Sequence, residues 1–148
     1  QAAVEEIRPH CKSNSQKIEH VLLDLCSNAS VRTAAETIKE RARGRLDVLV
    51  LNAGVATEPA AQVWQGNYLG HFLLVEQLRP LLELTAQTHG DARVVAVSSG
   101  AHKRATIDWK DPFGNESGKY GQSKLAQVMH MKELQRRSPG LRCISITP

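Results

Sequence analysis

"DVLVLNAG", residues 47–54, sets four consecutive aliphatic side chains between an aspartate and the turn-forming Asn52-Ala53-Gly54. An apolar run without alternation reads as a strand buried on both faces, as in a parallel sheet. Three other stretches read the same way: "HVLLDL" at 20–25, "ARVVAVSS" at 92–99 and "RCISITP" at 142–148. Helical spacing fills the gaps between them. Val31, Ala35, Ile38 and Ala42 recur at helical period, with Asn28 or Ser30 able to cap the start. Trp64, Tyr68, Phe72, Val75, Leu78 and Leu82 line one side of a longer segment, whose end Pro80 is expected to kink or loosen. Leu125, Val128, Met131 and Leu134 stripe a third. Strands alternating with helices predict an α/β fold, a parallel sheet with helices on both faces.

Composition narrows the function classes. At 148 residues the chain holds at most one domain, and 41% hydrophobic with 23% charged residues is ordinary for a globular protein. The formal charge is +4 and the pI about 9.2, yet the basic residues are interspersed with acidic ones. The densest cluster, "KERARGR" at 39–45, suits the C-terminal end of a helix. Nucleic-acid binding is therefore not expected. Cys11, Cys26 and Cys143 are widely spaced, which fits reduced thiols and a cytoplasmic setting. The six histidines show no metal-ligand spacing; His71 and His102 read as local hydrogen-bonding residues. No apolar run approaches the ~18 residues of a membrane span. The opening "QAAVEEIRPH" reads like the middle of a helix.

Ligands of open parallel sheets bind beyond the carboxyl ends of the strands. Asp24, Asn52-Ala53-Gly54 and Ser98-Ser99 all fall at such ends. Each has a plainer reading: Asp24 as a turn cap, Asn-Ala-Gly as turn chemistry, the serine pair as a helix start. Together at one sheet edge they make a candidate site. Downstream, Tyr120 and Lys124 in "KYGQSKLA" stand four apart on a helix and so share a face. A neighbouring cation stabilises a phenolate, so such a pair can pass a proton. Two solvated side chains would show the same spacing.

These stretches, in this order, resemble the short-chain dehydrogenase/reductase family. The marks are "DL" at 24–25, "NAG" at 52–54, "NYLGHF" at 67–72, "SSGAH" at 98–102 and "YGQSK" at 120–124. "NYLGHFLL" and "YGQSKLA" are further similar to its retinol-dehydrogenase-like branch. The resemblance implies a doubly wound, Rossmann-like sheet and an NAD- or NADP-dependent interconversion of an alcohol and a carbonyl. It implies Tyr120 as general acid or base, with Lys124 stabilising the phenolate and gripping the nicotinamide ribose. Ser99 would bond the substrate oxygen, and Asn67 would hold a water in a proton relay. Asp24 and Leu25 would meet the adenine, while Asn52, Ala53 and Gly54 would pass along the cofactor. Family practice also implies a small-molecule alcohol or carbonyl substrate, lipid-like by the branch resemblance, and a homodimer pairing the Trp64–Leu82 and Tyr120 helices. The expected setting is the cytoplasm or the cytosolic face of a membrane.

The chain also departs from the family. None of its ten glycines forms the Gly-rich run that binds a pyrophosphate. The strand whose end separates NAD from NADP is missing too. In the usual strand order, 3-2-1-4-5-6, the segment at 20–25 would have lost both intervening neighbours. Residues 1–148 are accordingly expected to form a partial NAD(P)-binding domain, lacking the first two strands and the C-terminal part. The rival from another class is a non-catalytic binding or dimerising module that keeps the sheet but holds no dinucleotide. A related epimerase or dehydratase would share Tyr120 and Lys124, but "NYLGHF" counts against it.

Overall fold

The computed structural model describes residues 2–11, 17–57, 59–111, 113 and 119–148, which include every candidate site residue. Helix α1 (Ala2–Ile7) leads into a single 3₁₀ turn, Arg8–His10. Helix α2 (Asn28–Ala42) starts on Ser27, whose hydroxyl accepts from the Ser30 N–H at 3.3 Å. The cap thus sits one residue ahead of the expected Asn28, and Ser30 Oγ accepts from the Asp24 N–H at 2.9 Å. Lys39 and Arg41 occupy the last turn, where cations suit the helix dipole.

Three of the four apolar runs are strands: β1 (Val48–Leu51), β2 (Arg93–Val97) and β3 (Arg142–Ile146). They form one parallel sheet in the order β1-β2-β3, with Val50 beside Val95 and Val95 beside Ile144. The fourth run, residues 20–25, is not a strand, which corrects the reading of that segment. Its backbone is tied to α2 instead: the His20 carbonyl accepts from Arg41 at 3.0 Å, and Leu22 is 81% exposed. A strand needs a partner for its N–H and C=O groups, and no described strand lies next to this one.

The segment between β1 and β2 is one long helix with a widened turn in it. Helix α3 (Ala60–Trp64) passes through a π turn (Gln65–Leu69) into α4 (Gly70–His89). Pro80 lies inside α4 without ending it, and the helix continues to His89, where Gly90 supplies the left-handed cap at φ 82°. Helix α5 (Lys119–Arg137) joins β2 to β3.

Helices α2, α4 and α5 cover one face of the sheet. Val31 and Ala35 of α2, Val75, Leu78 and Leu82 of α4, and Met131 and Leu134 of α5 pack on Leu51, Val94 and Ala96. The pleat sends alternate residues the other way. Val48, Val50, Ile144 and Ile146 on that opposite face are 47%, 55%, 46% and 45% exposed. The described residues are therefore an open, incomplete Rossmann-like sheet whose helices α2, α4 and α5 share one face, where the sequence led to helices on both.

Gly70 is required by close approach. A Cβ built there would collide with the Leu25 carbonyl oxygen and lie 2.9 Å from Leu25 Cβ. One turn earlier, a Cβ on Gly66 would meet Cys26 Sγ at 3.3 Å. The two glycines cut a groove along the helix into which the 24–26 turn settles.

Candidate active site

Lys124 is the centre around which the site is built. It lies one helical turn after Tyr120, and its Nζ is 5.7 Å from the centre of the tyrosine ring. Only 4% of the residue is exposed, and Nζ donates to the Val97 carbonyl at 2.8 Å, at the last residue of β2. Desolvation holds its pKa below the usual lysine value. An ammonium has three donors, so the Val97 carbonyl leaves two for other acceptors. The buried Ser98 hydroxyl donates to the Lys124 carbonyl at 3.0 Å and so ties α5 to the end of β2.

The end of β1 arrives at the same place. A Cβ added to Gly54 would sit 3.4 Å from Lys124 Nζ and 3.2 Å from Asn67 Oδ1, so a glycine keeps this space open. Asn67 is fully buried. Its Oδ1 accepts from the Val55 N–H at 2.8 Å, and its Nδ2 donates to the Val55 carbonyl at 2.8 Å and to Ser123 Oγ at 3.2 Å. Ser123 in turn donates to the Tyr120 carbonyl at 2.7 Å. One side chain thereby clamps the loop after β1 to the helix that bears Tyr120 and Lys124. Both amide hydrogens are engaged, so neither is free to hold a bound water, and the Asn67 main-chain carbonyl accepts from Gln127 Nε2 at 2.7 Å.

Ser99 starts a 3₁₀ turn (Gly100–Arg104) with its hydroxyl accepting from the Ala101 N–H at 3.3 Å, as the plainer reading had it. Its hydroxyl hydrogen is not used in that bond. The same turn presses on α5 beside Tyr120, because a Cβ on Gly121 would lie 3.1 Å from the Ala101 carbonyl oxygen. Among the described residues no hydrogen bond links the Ser99 and Tyr120 hydroxyls. His102 closes the turn, its Nδ1 lying 2.6 Å from the Ser99 carbonyl.

Asp24 and Leu25 lie in the turn before α2, with Leu25 against the π turn and the start of α4. Asp24 Oδ1 accepts from the Cys26 N–H at 2.9 Å, and the Leu25 carbonyl packs on Gly70. Asn52 and Ala53 are exposed in the loop after β1. Sequence reasoning does not single out Ser123 or Gln127. The one available signal was that both fall on the face of α5 turned to the π turn, and that face depends on a contact 56 to 60 residues distant in sequence. The three cysteines form no disulfide, and no group of three or more metal-binding side chains occurs among the described residues. Among them, too, no helix is long and apolar enough to cross a membrane.

Comparison with known proteins adds four findings. The sequence profile described as short chain dehydrogenase matches residues 1–148. The chain is 37% identical over 152 residues to retinol dehydrogenase 13 of Homo sapiens, covering 95% of this chain and 44% of that protein. It is also 37% identical over 147 residues to polyprenol dehydrogenase of Mus musculus, covering 92% and 43%. It thus spans less than half the length of these curated relatives. The fold is similar to that of the NADPH-bound carbonyl reductase from chicken fatty liver, with TM-score 0.70, 25% identity and coverage of 86% of this chain and 56% of that one.

Proposed function

The chain belongs to the short-chain dehydrogenase family, and from that premise we propose that it forms the chemical half of an NAD(P)-dependent oxidoreductase interconverting an alcohol and a carbonyl. The observation that supports this most is the buried Lys124 ammonium, set between Tyr120, Gly54 and the last carbonyl of β2 with two donors to spare. That arrangement fits the ribose end of a dinucleotide. The open space at Gly54 admits the cofactor's backbone, and the two remaining donors of Lys124 match a pair of ribose hydroxyls. Asp24 and Leu25 would meet the adenine end, and Asn52, Ala53 and Gly54 would line the path between. When bound, the nicotinamide supplies the hydride in the reducing direction and takes it in the oxidising one.

The chain's own residues handle the proton. As a carbonyl accepts hydride, charge develops on its oxygen, and the Tyr120 hydroxyl donates the proton that turns it into an alcohol. The positive charge of Lys124 stabilises the phenolate left behind. Ser99, with its hydroxyl hydrogen available, donates to the same oxygen while the charge builds. In the oxidising direction each transfer runs backwards. Retinol dehydrogenase 13 and polyprenol dehydrogenase suggest a long-chain, lipid-like alcohol as substrate class.

Tyr120→Phe in the full-length enzyme tests the assignment. The ring and its packing stay while the proton donor goes, so kcat should fall by roughly 10²-fold or more, as loss of a general acid does. Near-normal turnover would refute it. For the 148 residues alone a second reading has its own support. They contain no Gly-rich run for a pyrophosphate, so in isolation they would act as a sheet-bearing module without tight dinucleotide binding.

A further inference from the structure

We propose that Gln127 and His71 are positioning residues that lock the π turn of the long helix, and through it set the placement of Asn67, Ser123 and Lys124. The proposal rests on the catalytic reading of Tyr120 and Lys124. Gln127 is 2% and His71 3% exposed. Gln127 Nε2 donates to the Asn67 carbonyl at 2.7 Å and lies 3.1 Å from His71 Nδ1. His71 Nδ1 is itself 3.1 Å from that carbonyl. Three polar groups, from α5, the π turn and α4, thus meet at one point inside the protein.

The donor count fixes their orientation. The Asn67 carbonyl has two lone pairs, one accepting from the Gln127 amide and one from Nδ1–H of His71. Burial keeps the His71 ring neutral, so its single proton is the one on Nδ1. Turning the amide over would set Oε1 against the Asn67 carbonyl, lone pair to lone pair. In the orientation observed, Oε1 is buried and has no partner among the described residues. A buried acceptor without a donor calls for an explanation, and the placement of the two N–H groups provides one.

The consequence reaches the chemistry through one residue. A π turn is a local widening that a regular helix would otherwise remove, and removing it would rotate Asn67. The Asn67 side chain holds both the loop next to Gly54 and Ser123, which lies between Tyr120 and Lys124 in α5. Gln127 closes the loop by returning from α5 to the Asn67 main chain. Neither Gln127 nor His71 touches the reacting atoms; they hold the geometry in which Tyr120 and Lys124 work.

The test uses the full-length enzyme and two pairs of variants. Gln127→Leu keeps volume and removes the donor. It should lower kcat by about tenfold or more while leaving KM for the carbonyl substrate within about twofold, the pattern of a misaligned transition state. His71→Asn retains an N–H donor near the Nδ1 position and should keep kcat, whereas His71→Leu should lose it as Gln127→Leu does. Equal kcat in the two His71 variants would overturn the proposal, as would a folded Gln127→Leu enzyme with normal kcat. Amide hydrogen exchange across residues 65–71 gives a readout independent of turnover. Faster exchange there in His71→Leu than in His71→Asn supports the lock even if the wild type proves inactive on every carbonyl tried, and equal exchange in the two counts against it.

Discussion

His71 is a titratable group that folding forbids to titrate in its ordinary range. Desolvation is the main cause, and the charge of Lys124 and a nearby His130 push the same way, against the hydrogen bond at the Asn67 carbonyl; its pKa falls from 6.5 to about 4. The folded state therefore binds fewer protons than the unfolded chain between those values. For a histidine with a depressed pKa, stability is fully present above 6.5 and is lost as pH falls toward 4. The share due to His71 is at most about 3–4 kcal/mol, at ~1.4 kcal/mol per unit. Urea unfolding of the full-length protein between about pH 7 and pH 4 should show a steeper loss in wild type than in His71→Asn. Equal slopes would show that His71 takes up its proton in the folded state. Burial of this kind is invisible in the sequence, where "NYLGHF" shows only a histidine four residues after an asparagine. The spacing of Tyr120 and Lys124 was legible because helical geometry alone places them together. The partners of Asn67 were not, because they come from a loop and a helix far along the chain.

The long helix from Ala60 to His89 links the sheet to the site, and its glycines decide what can lie on it. Gly→Ala within an exposed helix ordinarily gains up to about 1 kcal/mol of helix propensity. At Gly70 the added methyl would meet backbone, the Leu25 carbonyl, which cannot turn aside as a side chain does. Gly70→Ala should therefore destabilise the full-length protein by about 1–3 kcal/mol, as overpacking does. It should also raise KM for the dinucleotide, because the turn bearing Asp24 and Leu25 must move. Gly66→Ala meets only the Cys26 thiol at 3.3 Å and should be the milder change. Thermal unfolding and coenzyme KM of the two variants check this, and a Gly70→Ala protein as stable as wild type would contradict the packing. Three of the four apolar runs were legible as strands because each has a sheet neighbour. Residues 20–25 have the same composition and form none, since an apolar run records a tendency to be buried and not the presence of a partner strand. The π turn left no trace in the pattern: Trp64, Tyr68 and Phe72 keep a regular spacing across it.

At the scale of the whole molecule, two surfaces stand open. One is the sheet face bearing Val48, Val50, Ile144 and Ile146. The other is a groove of about 680 Å³ between α4 and α5, lined by Tyr68, Phe72, Trp109, Met129 and His130. A two-fold contact through the second would make an isologous homodimer of the full-length protein. Light scattering at micromolar concentration should give twice the subunit mass, and a monomer would count against that arrangement. The distribution of site residues makes the central claim testable on the chain as it stands. The residues proposed for the ribose, the nicotinamide and the proton lie within the 148, while no Gly-rich helix start offers the cluster of N–H groups that a pyrophosphate needs. The cost of ordering the remaining contacts then falls on binding itself. Calorimetric titration of the 148 residues with NAD(H) and NADP(H) is the most direct measurement. Dissociation constants should be no tighter than about millimolar, worth roughly 4 kcal/mol, with micromolar binding once a strand, Gly-rich turn, helix and strand precede residue 1. Saturable micromolar binding by the 148 residues alone would contradict this division of the cofactor site.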